Sequence, residues 1–297
     1  MSSKLKKGTT GYRVFTVFNY IIVLLLALVC LLPMLNVLAI SFSGNLAVSR
    51  GEVSFWPKEF TTVAYEYLLA DEAFWRSMLI SIIRVILGVG ISMFLIILTA
   101  YPLSMSSQKF PKRRIYAWYF VFTMLFGGGL IPTFLTVRYT GLMDTIWALV
   151  IPGALSAYNL ILMLNFFRQL PEGVSEAAYI DGAGHWKILW MIIVPMSKPA
   201  LATIALFVAV AHWNEWFNAM IFMKHVDHYP LQTYLQSMII SSNFQVTNLA
   251  DLQTLSRLSN RTVNSAQIFV GMLPILCVYP FLQKYFTKGI VLGSVKG

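Results

Sequence analysis

The sequence predicts an all-α membrane protein with six spanning helices and both termini in the cytoplasm. Three observations predict this class. Of the 297 residues, 58% are hydrophobic and only 11% are charged, whereas a soluble domain carries about 25% charged residues. A soluble globule of this composition would lack the polar surface to cover itself. Six stretches are long and apolar enough for the roughly 20 residues that a bilayer core demands. The basic residues, finally, are distributed between successive loops as the positive-inside rule requires.

The six stretches run over residues 17–40, 77–103, 115–137, 146–167, 199–223 and 264–286. The first follows Lys4, Lys6 and Lys7 as a signal peptide would. It is longer than the 7–15 residues of a signal core and no small-residue cleavage site follows, so it reads as an uncleaved span. Pro33, Pro102, Pro132, Pro152 and Pro274 fall within spans, where neighbouring helices can satisfy the backbone groups they free. Gly127-Gly128-Gly129 followed by Pro132 should bend or break the third span. That bend serves either mechanism or packing. The chain reads as one membrane domain: first span and outer segment over 1–76, core spans over 77–286, and a cytoplasmic tail over 287–297.

With the N-terminus inside, the inner segments hold 14 basic residues, among them Lys109, Lys112, Arg113, Arg114, Arg168, Lys187 and Lys198. The outer segments hold seven and Arg84 lies in a span, while eight of the 12 acidic residues fall outside and three inside. The net charge of +10 therefore reports topology and not a nucleic-acid partner. Of the outer segments, 44–76 suits a short surface structure. In 224–263, Leu231, Tyr234, Leu235, Met238 and Ile239 recur at helical spacing. That pattern fits a helix on the membrane surface or a docking face for an external partner.

The inner loop EAAYIDGAGHWKILWMIIVPMSKP, from Glu176 to Pro199, opens on a short polar segment, with long apolar runs on either side. It reads as helix, turn, helix. Pro171 suits a first helical position, and Glu172 and Glu176 suit the positive end of a helix. Gly182 can take the left-handed conformation that stops a helix, and Gly184 keeps the turn tight. The second segment, His185–Val194, is apolar, with Pro195 as its expected end and Pro199 opening the fifth span. A stiff helix joined to spans on both sides suits the transmission of a push from a cytoplasmic partner.

At these residues the chain resembles the sugar-transporting permeases of ABC importers. Their signature is Glu-Ala-Ala, three residues, Gly, nine residues, Ile, one residue, Leu-Pro. Glu176, Ala177, Ala178, Gly182, Ile192 and Pro195 match it, Val194 replaces Leu, and Asp181 and Pro199 also fit the sugar-importer form. The stretches FGGGLIPTFL, GLMDTIWALVIPG, NLILMLNFFRQLPEG, HWNEWFNA, YPLQ, LPILCVYPFLQKYFTKG and GIVLGSVKG extend the resemblance over nearly the whole chain. They look like the maltose-permease-like class, and within it the group serving complex oligosaccharides and polysaccharide fragments. The resemblance implies a second, homologous permease, two ATPase subunits, an external sugar-binding protein and a bacterial cytoplasmic membrane. It implies that Glu176, Ala177, Ala178, Asp181, Gly182 and Ala183 form the coupling segment held by one ATPase subunit. It also implies that the tail residues Gly293, Ser294, Val295 and Lys296 reach the ATPase. ATP and Mg would be used by that partner, and this chain would bind no cofactor. The chain contains no G-x-x-x-x-G-K-[ST] phosphate loop.

Nothing suggests an enzyme. His185, His212, His225 and His228 are scattered, without cysteines or carboxylates at metal-ligand spacing, so no metal site is expected from spacing. Cys30 and Cys277 lie in apolar runs. The fifth span carries HWNEWFN, and at 100° per residue His212, Asn214, Glu215 and Asn218 share an arc of about 160°. Trp213, Trp216 and Phe217 take the other side. The polar set, with Trp213 as an apolar face, suits the wall of a sugar pathway or interhelical bonding that holds the bundle together. Arg84 and Glu215 should lie at one depth, about 10–12 Å below the outer boundary. They are expected to pair if their helices adjoin; otherwise Arg84 snorkels outward while Glu215 stays protonated or faces a wet cavity. A secondary transporter or channel is the alternative class. It would need mid-membrane coupling carboxylates or a self-contained inverted repeat.

Overall fold

Helix α1 (Thr10–Ser41) and helix α4 (Glu72–Ser104) are the two single helices long and apolar enough to cross a membrane, with mean hydropathies of 3.0 and 2.5. They belong to a computed structural model that describes residues 10–241 and 260–294. The described residues are helical throughout, with no strand among them. Two bent pairs bring the number of candidate spans to four if each pair is one span.

The chain divides into two compact units. One comprises residues 1–71 and 238–272, the other residues 72–237 and 273–297. In the first unit α1 is exposed along most of its length and buried only at Ala39, Ile40 and Ser41. Such an apolar column suits lipid or another membrane helix rather than water. After α1 come α2 (Asn45–Ser49) and α3 (Val63–Ala70), the short surface structure expected for this segment. Phe42 stacks between Phe60 and Tyr65 at 5.4 and 4.6 Å. Ser41 and Tyr65 share a hydrogen bond of 2.8 Å, and Ala64 packs with Val263 and Ala266.

The second unit is built on α4, which starts at Glu72, five residues before the expected span. Its buried positions, including Ile96, Ile97, Ala100 and Leu103, form one core with Leu160, Met163, Leu164 and Phe167 of α8 (Ala157–Arg168). Ile204 and Val208 of α12 (Lys198–Asn214) join it, as do Ala178, Ile188, Leu189 and Ile193 of the inner loop.

Three of the expected spans are interrupted. The third consists of α5 (Arg113–Leu125) and α6 (Leu130–Tyr139), whose axes differ by 113°. The break falls at the glycine run, where Gly129 has φ 82° and ψ 180°, a conformation that only glycine adopts readily. The fourth begins with α7 (Ile146–Val150) and breaks at Pro152 and Gly153 before α8. There proline removes a ladder donor, and the Ser156 hydroxyl accepts from the Asn159 N–H to restart the helix. The fifth stops at Asn214, and α13 (Phe217–Phe222) begins after an extended Glu215. The single helical wheel drawn through HWNEWFN is therefore corrected: it holds up to Asn214 and fails beyond it.

The inner loop forms α9 (Glu172–Ile180), with Pro171 one position before its first residue, then α10 (His185–Ile188), a π-turn over Leu189–Ile193, and α11 (Val194–Met196). Pro195 lies inside α11 and the chain turns at Ser197, two residues later than expected. The proline has no N–H for the Met191 carbonyl, which accounts for the wider turn before it. A short 3₁₀ turn (Val226–His228) precedes α14 (Leu231–Ser241). Leu231, Tyr234 and Leu235 of α14 are buried within the protein's own packing. The chain itself thus covers the first half of that apolar face, while Met238 is half-buried. The last helix, α15, runs unbroken from Asn260 to Ser294, through the 286/287 boundary drawn from sequence. Lys4, Lys6, Lys7, Val295 and Lys296 lie outside the described residues.

Candidate transport pathway and coupling segment

A cavity of about 210 Å³ opens where the fourth and fifth stretches break. Its polar lining is Arg84 and Ser92 from α4, Ser156 and Asn159 at the start of α8, and His212, Glu215 and Asn218 around the α12–α13 break. Polar groups gather here because both breaks leave helix-terminal N–H and C=O groups that need partners.

Arg84 organises the second break. Its guanidinium donates to Glu215 Oε2 at 2.6 Å and to the Glu215 carbonyl at 2.8 Å. The other carboxylate oxygen, Oε1, accepts the Asn218 N–H at 2.6 Å, and Thr233 donates to the Trp216 carbonyl at 2.9 Å. Side chains thus replace the backbone bonds that a continuous helix would have made. Arg84 is 2% exposed and its Nε has no hydrogen-bond partner among the described residues. The two charges expected to share a depth lie in direct contact.

His212 lies against α4 at Gly88, where a Cβ would collide with the imidazole ring. Of the five pathway candidates, His212, Glu215 and Asn218 line the cavity. Trp213 does not: it is buried and faces an apolar groove with Ile82, Pro274 and Ile275. Asn214 is exposed away from the lining. Sequence reasoning missed Ser92, Ser156 and Asn159 as lining residues. Their signal was modest, since an isolated polar residue in an apolar run serves capping as readily as a pathway.

The coupling segment is fixed at its turn. Gly182 has φ +76°. The Ala183 N–H reaches the Ala178 carbonyl at 2.9 Å, and the Gly182 N–H reaches the Tyr179 carbonyl at 3.0 Å. This pair of bonds closes a helix in the Schellman manner. Glu176, Ala177, Asp181 and Gly182 are exposed and Ala183 is half-buried. Ala178 instead turns inward to the core with Ile188, Leu189 and Ile193, so it anchors the segment and presents nothing outward. Ile180, 87% exposed, and Trp186 project beside the turn, and neither was singled out from sequence. Tyr179 and Tyr101 of α4 both bond His185 Nδ1, at 2.7 and 3.2 Å. Lys109 stands 3.9 Å from Glu176 and over the Tyr179 ring.

Outside these sites, Asp144 meets His225 and His228, which sequence spacing did not foretell. Its Oδ2 lies 2.6 Å from His225 Nδ1, and its Oδ1 lies 2.9 Å from both His228 Nδ1 and the Lys224 N–H. Burial raises the carboxyl pKa, but the hydrogen bonds from His228, Lys224 and His225 outweigh it and hold the group below the usual carboxylate range.

The family described as binding-protein-dependent transport system inner membrane component matches residues 2–291. The chain belongs to that family. It is a permease of an inner-membrane transport system, working with ATPase and binding-protein partners. The chain is 39% identical over 285 residues to the polygalacturonan/rhamnogalacturonan transport system permease protein YtcP of Bacillus subtilis, covering 96% of this permease and 99% of that one. It is also 39% identical to Protein LplC of the same organism, covering 98% and 97% of the two chains. A crystal structure of a bacterial ABC transporter involved in the import of the acidic polysaccharide alginate contains a chain that superposes with a TM-score of 0.85 at 36% identity. That match covers 94% of this permease and 98% of the alginate importer's chain.

Proposed function

We propose that this permease moves an oligosaccharide or polysaccharide fragment into a bacterial cell. Delivery would come from an external sugar-binding protein, and the energy from a pair of ATPase subunits that bind ATP and Mg. The observation that carries this reading is the cavity: two membrane-length stretches break at Pro152–Ser156 and Glu215–Trp216, and both breaks line one polar space. Broken helices at a midplane cavity are how transporters present backbone and side-chain hydrogen bonds to a solute. At about 210 Å³ the space is below the roughly 300–1,000 Å³ of a ligand pocket. A second, homologous permease supplies the other wall on this reading. The relatives named for polygalacturonan/rhamnogalacturonan and for alginate make polysaccharide fragments the cargo to test first.

Six spans with both termini inside fit the helices, the broken ones counted whole, and the excess of basic residues in the inner segments. On that topology the exposed turn at Gly182 faces the cytoplasm, where an ATPase cleft would hold Glu176, Ala177, Asp181, Gly182 and Ala183. The tail from Gly293 to Lys296 would reach the same partner. Closure of the ATPase dimer would push this turn, and the Tyr101–His185–Tyr179 contacts would carry the push to α4. The chain then acts as a two-state conduit and performs no chemistry of its own.

The test is reconstitution with the second permease, the ATPase and the binding protein in liposomes, followed by uptake of labelled oligosaccharides. Uptake should require ATP and the binding protein together. Transport by the permeases alone, driven by an ion gradient, would replace this reading with that of a secondary transporter.

A further inference from the structure

The cluster at Asp144, His225 and His228 belongs neither to the cavity lining nor to the coupling turn. We propose that these three residues form a binding site for a divalent transition-metal cation of the zinc type. Two imidazoles and one carboxylate are the donor set that such ions favour. The ligand atoms all lie within 4.8 Å of one another. His225 and His228 stand three residues apart across the 3₁₀ turn, a spacing that stacks side chains on one side. Both rings turn Nδ1 toward the same carboxylate.

The carboxylate is held in place before any ion arrives. Oδ1 accepts the Lys224 N–H at 2.9 Å and the His225 N–H at 3.4 Å, the kind of outer bond that orients a metal ligand. Asp144 itself has φ +61°, an uncommon conformation for a residue with a Cβ. Its own N–H bonds the Phe222 carbonyl at 2.9 Å, so two segments some 80 residues apart are pinned at this one residue. Asp227, lying between the histidines, is drawn away by Arg76 at 2.5 Å and is not a ligand. The two imidazoles are exposed and Asp144 is 17% exposed, so an ion from solvent can reach the site and water can complete its shell.

Coordination through Nδ1 needs each ring proton on Nε2. The ion therefore replaces the two ring–carboxylate hydrogen bonds, and the ring protons move to Nε2 by exchange with solvent. Occupancy would fasten the α6–α7 turn to the end of α13, the helix whose start borders the cavity.

The experiment titrates zinc into the tag-free chain, stripped with chelator in lipid nanodiscs, by calorimetry, with X-ray absorption at the zinc edge. One saturable equivalent with imidazole ligands at about 2.0–2.1 Å is expected. His225→Gln and His228→Gln should each weaken binding at least about tenfold, and the double variant should lose the equivalent. Both positions are exposed, so folding of these variants, checked by size exclusion, is expected to survive. Zinc bound equally by the double variant, a shell with sulfur from Cys30 or Cys277, or no saturable equivalent in the unaltered chain would each overturn the site. This outcome is independent of the transported cargo.

Discussion

Arg84 and Glu215, 131 residues apart in the chain, meet through two hydrogen bonds of 2.6 and 2.8 Å, one to the carboxylate and one to the backbone carbonyl. The arginine thereby serves both as counter-ion and as a substitute for the helix ladder broken after Asn214. Its partner is less enclosed: the Glu215 side chain is 26% exposed, against 2% for Arg84.

That asymmetry predicts an asymmetric mutant cycle. Glu215→Ala strands a buried guanidinium and should cost about 3–5 kcal/mol. Arg84→Ala leaves a carboxylate that still accepts the Asn218 N–H and touches the cavity, and should cost less. The double variant should cost clearly less than the sum. Thermal unfolding of the purified complex reads all three, and strict additivity would show that the pair contributes no coupling.

At Gly88 the prediction concerns space. A methyl group there would overlap the His212 ring, so Gly88→Ala must displace it, at about 1–3 kcal/mol for overpacking. Adding His212→Ala should restore most of the lost stability by vacating the space. Failure of the second change to rescue the first would mean that the ring is not what limits position 88.

The three consecutive glycines are not equivalent. Only Gly129 has positive φ, at 82°, and Cβ atoms at Gly127 and Gly128 would meet open space or ordinary contact. Gly129→Ala should therefore destabilise by about 1–3 kcal/mol, while Gly127→Ala and Gly128→Ala stay close to the parent. Equal melting temperatures for all three would argue that the bend is set elsewhere.

In the coupling turn, Gly182→Val should act through backbone strain alone, about 1–2 kcal/mol for the left-handed conformation, since nothing lies within 4 Å of a Cβ there. Glu176→Lys removes the Lys109 contact of 3.9 Å and reverses the exposed charge, with little effect on stability. Both variants should insert normally yet lose sugar-stimulated ATP hydrolysis in the reconstituted complex. Full hydrolysis and uptake in both would remove this turn from the coupling path.

By itself the sequence determined the helical class, the bend at the glycine run, the helix–turn–helix of the inner loop and the left-handed Gly182. Each follows from hydropathy or from the backbone freedom of one residue, and such local causes are written where they act. The pairing of Arg84 with Glu215 was legible as one of two outcomes, because a charge in an apolar run has few ways to be compensated; the fold decided between pairing and snorkelling. Tertiary structure decided the rest. It set the break at Glu215, since Arg84 and Thr233 offer the replacement hydrogen bonds only in the folded chain. It turned Trp213 and Asn214 away from the cavity, turned Ala178 inward, and brought Asp144 to His225 and His228 across 81 and 84 residues. Hydropathy fixes which segments form helices, but where one helix meets another depends on side-chain fit between distant residues, and a single sequence carries no periodic trace of that.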